Sequence, residues 1–247
     1  MTYDELLTQL GNAIEAIDTG LFDEAQRLVV IIVDDLKMLS ESNLLIQHKV
    51  IGAKATFILG KIARSRGDTT LALELFERAY LESREVQDSA CMATILSSIG
   101  LIHWGYGNFE TSLDYFKQSL ALHETLDAQN DMAVNLRCIG NVHATLSNFS
   151  EAMECMDKAL SIQEHIGDRI NIAGTLGSIG TLHFDLQNYP LALDYFQRAL
   201  SLNESLNNKS SMAGNLHNIG LVNQELTDLP LALEYYKRAL SINERNW

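Results

Sequence analysis

Apolar residues recur three and four positions apart along most of the chain, which is the spacing of amphipathic α-helices rather than β-strands. Short polar turns, such as Gly67-Asp68 and Gly107-Asn108, interrupt this pattern twice in every forty residues. Each forty-residue stretch therefore predicts two helices, which we name the A helix and the B helix. The fold class predicted from this pattern is all-α.

A glycine marks the same place in five successive A helices, and small and large residues mark fixed places in the B helices. The glycines are Gly60, Gly100, Gly140, Gly180 and Gly220. In the B helices, a small residue follows each glycine after twelve and nineteen positions, with a large one between, as in Ala72, Phe76 and Ala79. Glycine inside a helix costs about 1 kcal/mol relative to alanine. The column therefore predicts close packing, with glycine facing the small B-helix residue and the large residues filling gaps between pairs.

Five turns between an A and a B helix, and three turns between units, also carry a residue suited to cap the next helix. Asn and Asp side chains at the N-cap accept hydrogen bonds from free amides of the first helical turn. The expected caps are Asp68, Asn108, Asn148, Asn188 and Asp228 before B helices, and Asp88, Asp168 and Asn208 before A helices. Gly167 is placed to end a B helix, and Pro190 and Pro230 fall in first turns, where proline is tolerated.

These columns resemble the tetratricopeptide repeat (TPR) family, in the branch with forty-residue units found in adaptor scaffolds and bacterial signalling proteins. The resemblance covers nearly the whole chain. It implies a right-handed superhelical solenoid of about six antiparallel helix pairs, with a concave wall built from the A helices. We expect a single repeat domain over 1–247, with units of approximately 3–39, 43–86, 88–126, 128–166, 168–206 and 208–247.

The first unit departs from the forty-residue register. Gly20 matches Gly67 at a spacing of forty-seven, and Ala13 takes the place of the A-helix glycine. A longer helix or loop is therefore expected around Ser40–His48. A divergent terminal unit is typical of a capping repeat.

Composition narrows the classes of partner and location. The net charge of −14 argues against nucleic acid and anionic membrane surfaces, which clustered Lys and Arg would bind. The first five residues include two acidic ones, Asp4 and Glu5, and no basic one, whereas a secretion signal would begin with basic residues. The longest aliphatic run, Leu28–Val33, is far shorter than the ~20 residues of a membrane-spanning helix. We expect a cytoplasmic protein.

The candidate reactive residues indicate no catalytic or metal site. Cys91, Cys138 and Cys155 lack metal-ligand spacing and are expected to be reduced thiols, although the last two could approach each other within one repeat. Three A-helix histidines lie forty residues apart: His103, His143 and His183. Packed helices lie about 8–10 Å apart, too far for these rings to share one metal ion. We expect packing roles for them, no cofactor and no enzymatic activity.

By the resemblance, four positions of each A helix face the groove. The candidate groove residues are Lys54, Phe57, Lys61, Arg64, Leu101, Trp104, Arg137, Asn141, Gly177, Phe184, His217 and Leu221. Among all twenty such positions of the last five units, four are basic and none is acidic. Exposed aromatic and Arg side chains often carry binding energy at interfaces. The hypothesis is a protein-interaction scaffold that binds a peptide with acidic residues and a large apolar anchor; the alternative is that these side chains only pack or face solvent.

Three glycines lie on the expected groove wall of the last two units: Gly174, Gly177 and Gly214. They fit either the close approach of a ligand main chain or drift of the repeat. The chain stops at Asn246-Trp247 without a polar closing helix, which suggests a fragment of a longer protein or an end that self-associates, the fragment being favoured. The alternative function is therefore a sensory, regulatory or dimerisation module of a signalling protein whose effector domain is absent here.

Overall fold

The computed structural model of the chain describes residues 1–38 and 46–244. Within these residues every regular element is an α-helix, which confirms the predicted fold class. The helices are α1 (Tyr3–Asp18), α2 (Phe22–Met38), α3 (Ile46–Ser65), α4 (Thr69–Glu85), α5 (Ser89–Gly105), α6 (Phe109–Thr125), α7 (Gln129–Thr145), α8 (Phe149–Ile166), α9 (Arg169–Asp185), α10 (Tyr189–Ser205), α11 (Lys209–Glu225) and α12 (Leu229–Glu244). The odd-numbered helices are the A helices, and the even-numbered ones are the B helices.

The helices group into two compact units, Met1–Leu126 and Asp127–Trp247. In the first unit, α1 packs against α2 and α3, and each helix from α2 to α5 packs against the next. In the second unit, each helix from α7 to α11 packs against the next, and α9 also contacts α7 and α11. Each unit thus contains three helix pairs, whose A helices lie side by side.

The glycine column makes room for the large B-helix residue. A methyl group at Gly60 or Gly220 would lie 2.5 Å from a ring carbon of Phe76 or Tyr236, respectively. At Gly140 it would lie 3.0 Å from Met156 Cγ. The expected contact between the glycine and the small B-helix residue is less close. Only the carbonyl oxygen of that residue comes near the added methyl group, as at Ala72, where the distance is 3.4 Å. The prediction of close packing is confirmed, but the glycine faces the ring rather than the alanine.

Five of the expected caps make their hydrogen bonds. Asp68, Asp88, Asp168, Asn208 and Asp228 each accept from the amide three residues later, at 3.0–3.3 Å.

The expectation is wrong for three asparagines. Asn108, Asn148 and Asn188 occupy the N-cap of α6, α8 and α10, but their side chains make no capping hydrogen bond. The Asn108 amide nitrogen instead lies 3.5 Å from Nδ1 of His103 on the preceding A helix.

Two further turn predictions are confirmed. Gly167 ends α8 in the left-handed conformation, with φ of 73°, which a glycine adopts without strain. Pro190 lies in the first turn of α10, and Pro230 is the second residue of α12. In each place the ring removes an amide that has no partner within the helix.

The first helix pair has the character of a cap. Ala13, in the place of the repeat glycine, is fully buried. Asn12 of α1 is exposed, whereas the matching Ile179 and Ile219 of later A helices are buried. The outer side of α1 is therefore polar where other A helices are apolar. The longer connection expected around Ser40–His48 lies mostly outside the described residues, and α3 begins at Ile46.

Candidate functional site

A cavity of about 310 Å³ lies in the first unit, on the side where the A helices α1, α3 and α5 meet. It is lined by Ile14, Ile17, Lys54, Phe57, Ile58, Lys61, Asp88, Ala90, Cys91 and Thr94. Three of the four groove residues predicted on α3 therefore share one site. Its floor is apolar, because Ile17 and Ile58 are buried and Phe57 is half-buried against Phe76, with ring centroids 5.4 Å apart.

The two lysines of this cavity have different surroundings. Lys54 Nζ lies 3.5 Å from a carboxylate oxygen of Asp88, whose other oxygen accepts the amide of Cys91 at the start of α5. The charge of Lys54 is thus balanced. No ion pair or hydrogen bond is formed by Lys61 within residues 1–38 and 46–244. Asp88 is not one of the twenty predicted wall positions, but it adds a carboxylate to the lining of this cavity.

The sequence prediction missed two isoleucines of the cavity, because it began the groove at the second forty-residue repeat. When the forty-seven-residue offset of the first repeat is applied, Ile14 takes the repeat position of Lys61, and Ile17 takes that of Arg64. The sequence already indicated this offset, because Ala13 lies forty-seven residues before Gly60. The two α1 positions that match Lys61 and Arg64 are therefore apolar.

The remaining groove candidates of the first unit lie outside this cavity. Arg64 is exposed at the end of α3, and Leu101 and Trp104 are half-buried on α5. Ser97, one turn before Leu101, is held by a 2.8 Å hydrogen bond to Ser119 of α6. These residues sit on the expected helices, but no described contact joins them to the lysines.

A second cavity, of about 250 Å³, lies between α9 and α11 in the second unit. It is lined by Ile170, Ala173, Gly174, Gly177, Asn203, Asn208, Ser211, Gly214, Asn215 and Asn218. The three wall glycines of the sequence prediction thus converge on one surface. Since none has a side chain, the surface is formed largely by backbone and by asparagine amides.

An amide pair lies beneath this glycine surface. Asn203 Nδ2 donates to Asn215 Oδ1 at 2.9 Å, and a methyl group at Gly177 would lie 3.8 Å from Asn215 Nδ2. Asn203 is only 2% exposed, and its Oδ1 has no partner among the described residues. One repeat earlier, Gln163 and Thr175 take the positions of Asn203 and Asn215, and the Thr175 hydroxyl donates to Gln163 Oε1 at 2.7 Å. The second unit therefore carries buried polar groups directly under the glycine surface.

The other groove candidates of the second unit have distinct neighbours. Arg137 packs over α9, since a methyl group at Gly174 would lie 3.9 Å from its Nε and Cζ, while Asn141 is half-buried one turn further along α7. The rings of Phe184 and Tyr189 have centroids 5.6 Å apart.

The end of the second unit holds a third cavity, of about 580 Å³, between α11 and α12. His217 lines it and lies 5.4 Å from Tyr236, between ring centroids. Leu221 is half-buried on the same helix.

Two of the three column histidines pack against tyrosine rings. His103 stacks on Tyr115 at 5.3 Å between centroids, and His183 on Tyr195 at 5.4 Å. Burial lowers the pKa of His183, partly opposed by Asp157. Among the described residues, no group of three or more His, Cys, Asp or Glu side chains is arranged to hold a metal ion.

None of the three cysteines forms a disulfide. Burial raises the pKa of Cys91 and of Cys138, which keeps both protonated at neutral pH. Within the described helices, none combines the length and apolar content that crossing a membrane requires.

Solved structures of helical repeat proteins are similar to the chain in fold. The crystal structure of BtubC (BKLC) from P. vanneervenii matches with 17% identity and a TM-score of 0.67, covering 97% of this chain and 91% of that one. A Rap protein complexed with competence and sporulation factor matches with 16% identity and a TM-score of 0.73, covering 98% of this chain and 77% of that one. At these identities the likeness concerns the fold alone.

A third similar structure belongs to a larger protein. It is the signal transduction ATPase with numerous domains from Pyrococcus horikoshii, which has a tetratricopeptide repeat sensor. Identity is 12% and the TM-score 0.73, and the match covers 98% of this chain but 39% of that protein. No curated protein matches the sequence. The family model for the tetratricopeptide repeat matches residues 53–125, 131–205 and 171–245, and the chain therefore belongs to the tetratricopeptide repeat family.

Proposed function

We propose that the chain is a non-catalytic, cytoplasmic interaction scaffold that binds a peptide or protein segment along its A helices. Its family consists of repeats that serve as protein-interaction scaffolds. The observation that carries the proposal is the glycine surface between α9 and α11. Side chains at Gly174, Gly177 and Gly214 would cover the surface, and without them a ligand main chain has access to asparagine amides.

Charge supports an acidic segment as the ligand. Lys61, Arg64 and Arg137 all lie on A helices, in a protein whose net charge is −14. Complementary charge of this kind raises association rates and selects against wrong partners. Because Lys54 is already paired with Asp88, it contributes less than the sequence suggested. The apolar anchor of the ligand would pack against half-buried side chains of one unit, either Phe57, Leu101 and Trp104 in the first or Phe184 in the second.

A structural relative offers parallel support. The Rap protein that shares the fold was crystallised with competence and sporulation factor bound. Transfer of ligand binding to this chain is a proposal, since the two sequences share 16% identity.

Selection from a phage-displayed library of random twelve-residue peptides tests this function. We expect enriched peptides to combine acidic residues with one large apolar residue. Binding should fall at least tenfold when Lys61, Arg64 and Arg137 are together changed to Glu, because three attractions become repulsions. A matched control reverses three exposed cations of B helices: Lys117, Lys158 and Lys237. Equal loss in both triple variants, or no enrichment, would reject the proposal.

A regulatory or dimerisation module is the second candidate, and the surface of α12 favours it. Leu229, Leu233 and Leu240 are 63%, 53% and 56% exposed, whereas Leu200, which matches Leu240 in α10, is 8% exposed under α11. The Pyrococcus relative uses its repeats as a sensor. Light scattering over a dilution series tests self-association: a dimer that Leu233→Glu dissociates supports this candidate, and a monomer at all concentrations rejects it.

A further inference from the structure

We propose that the cavity between α1, α3 and α5 is a subsite for one large apolar side chain whose neighbour in the ligand carries a carboxylate. This inference rests on the proposed function and specifies what the first unit recognises. The cavity is distinct from the glycine surface of the second unit, and its two isoleucines from α1 are outside the predicted groove.

The size and lining of the cavity fit an apolar side chain. Its volume of about 310 Å³ equals that of about ten water molecules in the liquid. Ile17, Phe57 and Ile58 supply the floor, while Ile14 lies at the edge with 43% of its surface exposed. An entering side chain would remove this apolar surface from water, which is the main favourable term in most association.

The charged residues that line the cavity favour one carboxylate in the ligand and determine where it binds. At one end, Asp88 neutralises Lys54 and also caps α5, so a second carboxylate there would be repelled. Thr94 already donates its hydroxyl to the carbonyl of Ala90 at 3.0 Å. Lys61 is the cation of this lining that lacks a partner within the described ranges. A ligand carboxylate is therefore directed to Lys61, beside the apolar side chain.

The first helix pair thereby gains a second role. The outer side of α1 is polar, as in a cap, but its groove side supplies Ile14 and Ile17 to the cavity. A cap that only protected the array would not need exposed apolar residues on that side. Leu7, seven residues or about two turns earlier on the same side of α1, is similarly exposed at 42% but does not line the cavity.

Methyl NMR of the full chain with short peptides tests the subsite. The probe is acetyl-Gly-Phe-Glu-Gly-amide, compared with the same peptide carrying Ala for Phe or Gln for Glu. We expect saturable shifts of the δ1 methyl signals of Ile14, Ile17 and Ile58, with Ile139 and Ile179 of the second unit unchanged. Apparent affinity should fall at least fivefold for each altered peptide.

Matched variants separate the subsite from general effects. Ile14→Ser and Lys61→Gln should each weaken the probe at least fivefold, and Leu7→Ser and Lys117→Gln should leave it within twofold. Loss of affinity in all four variants, the same affinity for the three peptides, or no shift at the three isoleucines would overturn the subsite. A library-selected peptide that depends on Gly177 would then still uphold the proposed function.

Discussion

The ring of Phe196 occupies the space that a side chain at Gly180 would need. A methyl group at Gly180 would lie 2.7 Å from Cε1 and 2.8 Å from Cδ1 of the ring, and Phe196 is itself buried. Real side chains do not approach so closely, so the helix bearing the glycine and the helix bearing the ring determine each other's residue. The forty-residue glycine period is thus a packing rule between the two helices of a pair.

This relation predicts opposite effects for two glycines of the second unit. Gly180→Ala should lower stability by about 1–2 kcal/mol, because overpacking costs more than the gain in helix propensity. Gly214→Ala, on the glycine surface of α11 and with no atom within 4 Å of the added methyl group, should raise stability by about 1 kcal/mol. Urea unfolding followed by circular dichroism measures both. A stabilised Gly180→Ala variant would contradict the packing rule.

Two helix caps of the second unit predict unequal losses. Asp168 accepts the amide of Asn171 at 3.0 Å, and its other oxygen accepts the Asn171 side-chain amide at 2.7 Å. Asp168→Ala should therefore lower the free energy of unfolding by about 1 kcal/mol. Asn148→Ala is the control, since Asn148 forms no capping bond, and should change it by less than half as much. Equal losses in urea unfolding would show that the side-chain bonds do not matter.

Burial of His183 predicts a dependence of stability on pH. Because the folded pKa lies below the unfolded value of about 6.5, the folded protein binds the proton more weakly. The contribution of His183 to the free energy of unfolding is present above pH ~6.5 and is lost as the pH falls through the folded pKa. His183→Phe, which keeps a ring against Tyr195, should flatten this part of the stability profile. The exposed His165→Phe variant should not, and an unchanged profile in the first variant would exclude His183 as a source.

The three thiols should react at different rates. Cys91 and Cys138 are buried and their pKa values are raised, whereas Cys155 is half-buried. The thiolate is the reactive form. In the folded protein, iodoacetamide at pH 8 should therefore modify Cys155 at least tenfold faster than the other two. Mass spectrometry of the digested protein measures the order, which urea should abolish; fast modification of Cys138 in the folded state would contradict its burial.

Much of the fold was predictable from the sequence, because the repeat imposes one packing solution many times. The columns at Gly60 and Phe76 recur at fixed spacing, so the helix pairs and their turns could be placed by counting. The error at Asn148 has a different origin. Residue type identifies a cap position, but whether the amide turns toward the helix depends on side-chain conformation, which spacing does not encode.

The candidate site was less predictable because it depends on neighbours from other helices. The ion pair of Lys54 with Asp88 joins two A helices, and the wall count considered only one helix at a time. Ile14 was missed because the first repeat is offset by forty-seven residues from the second, instead of by forty. The amide pair of Asn203 and Asn215 joins a B helix to the next A helix, a relation outside the groove columns.

Hydrogen–deuterium exchange with a library-selected peptide tests the proposed groove most directly. A peptide bound along the A helices should slow amide exchange in α3, α5, α9 and α11. The B helices α4 and α10 should exchange as in the free protein. Slower exchange confined to the B helices, with the A helices unchanged at saturating peptide, would contradict the proposed binding surface.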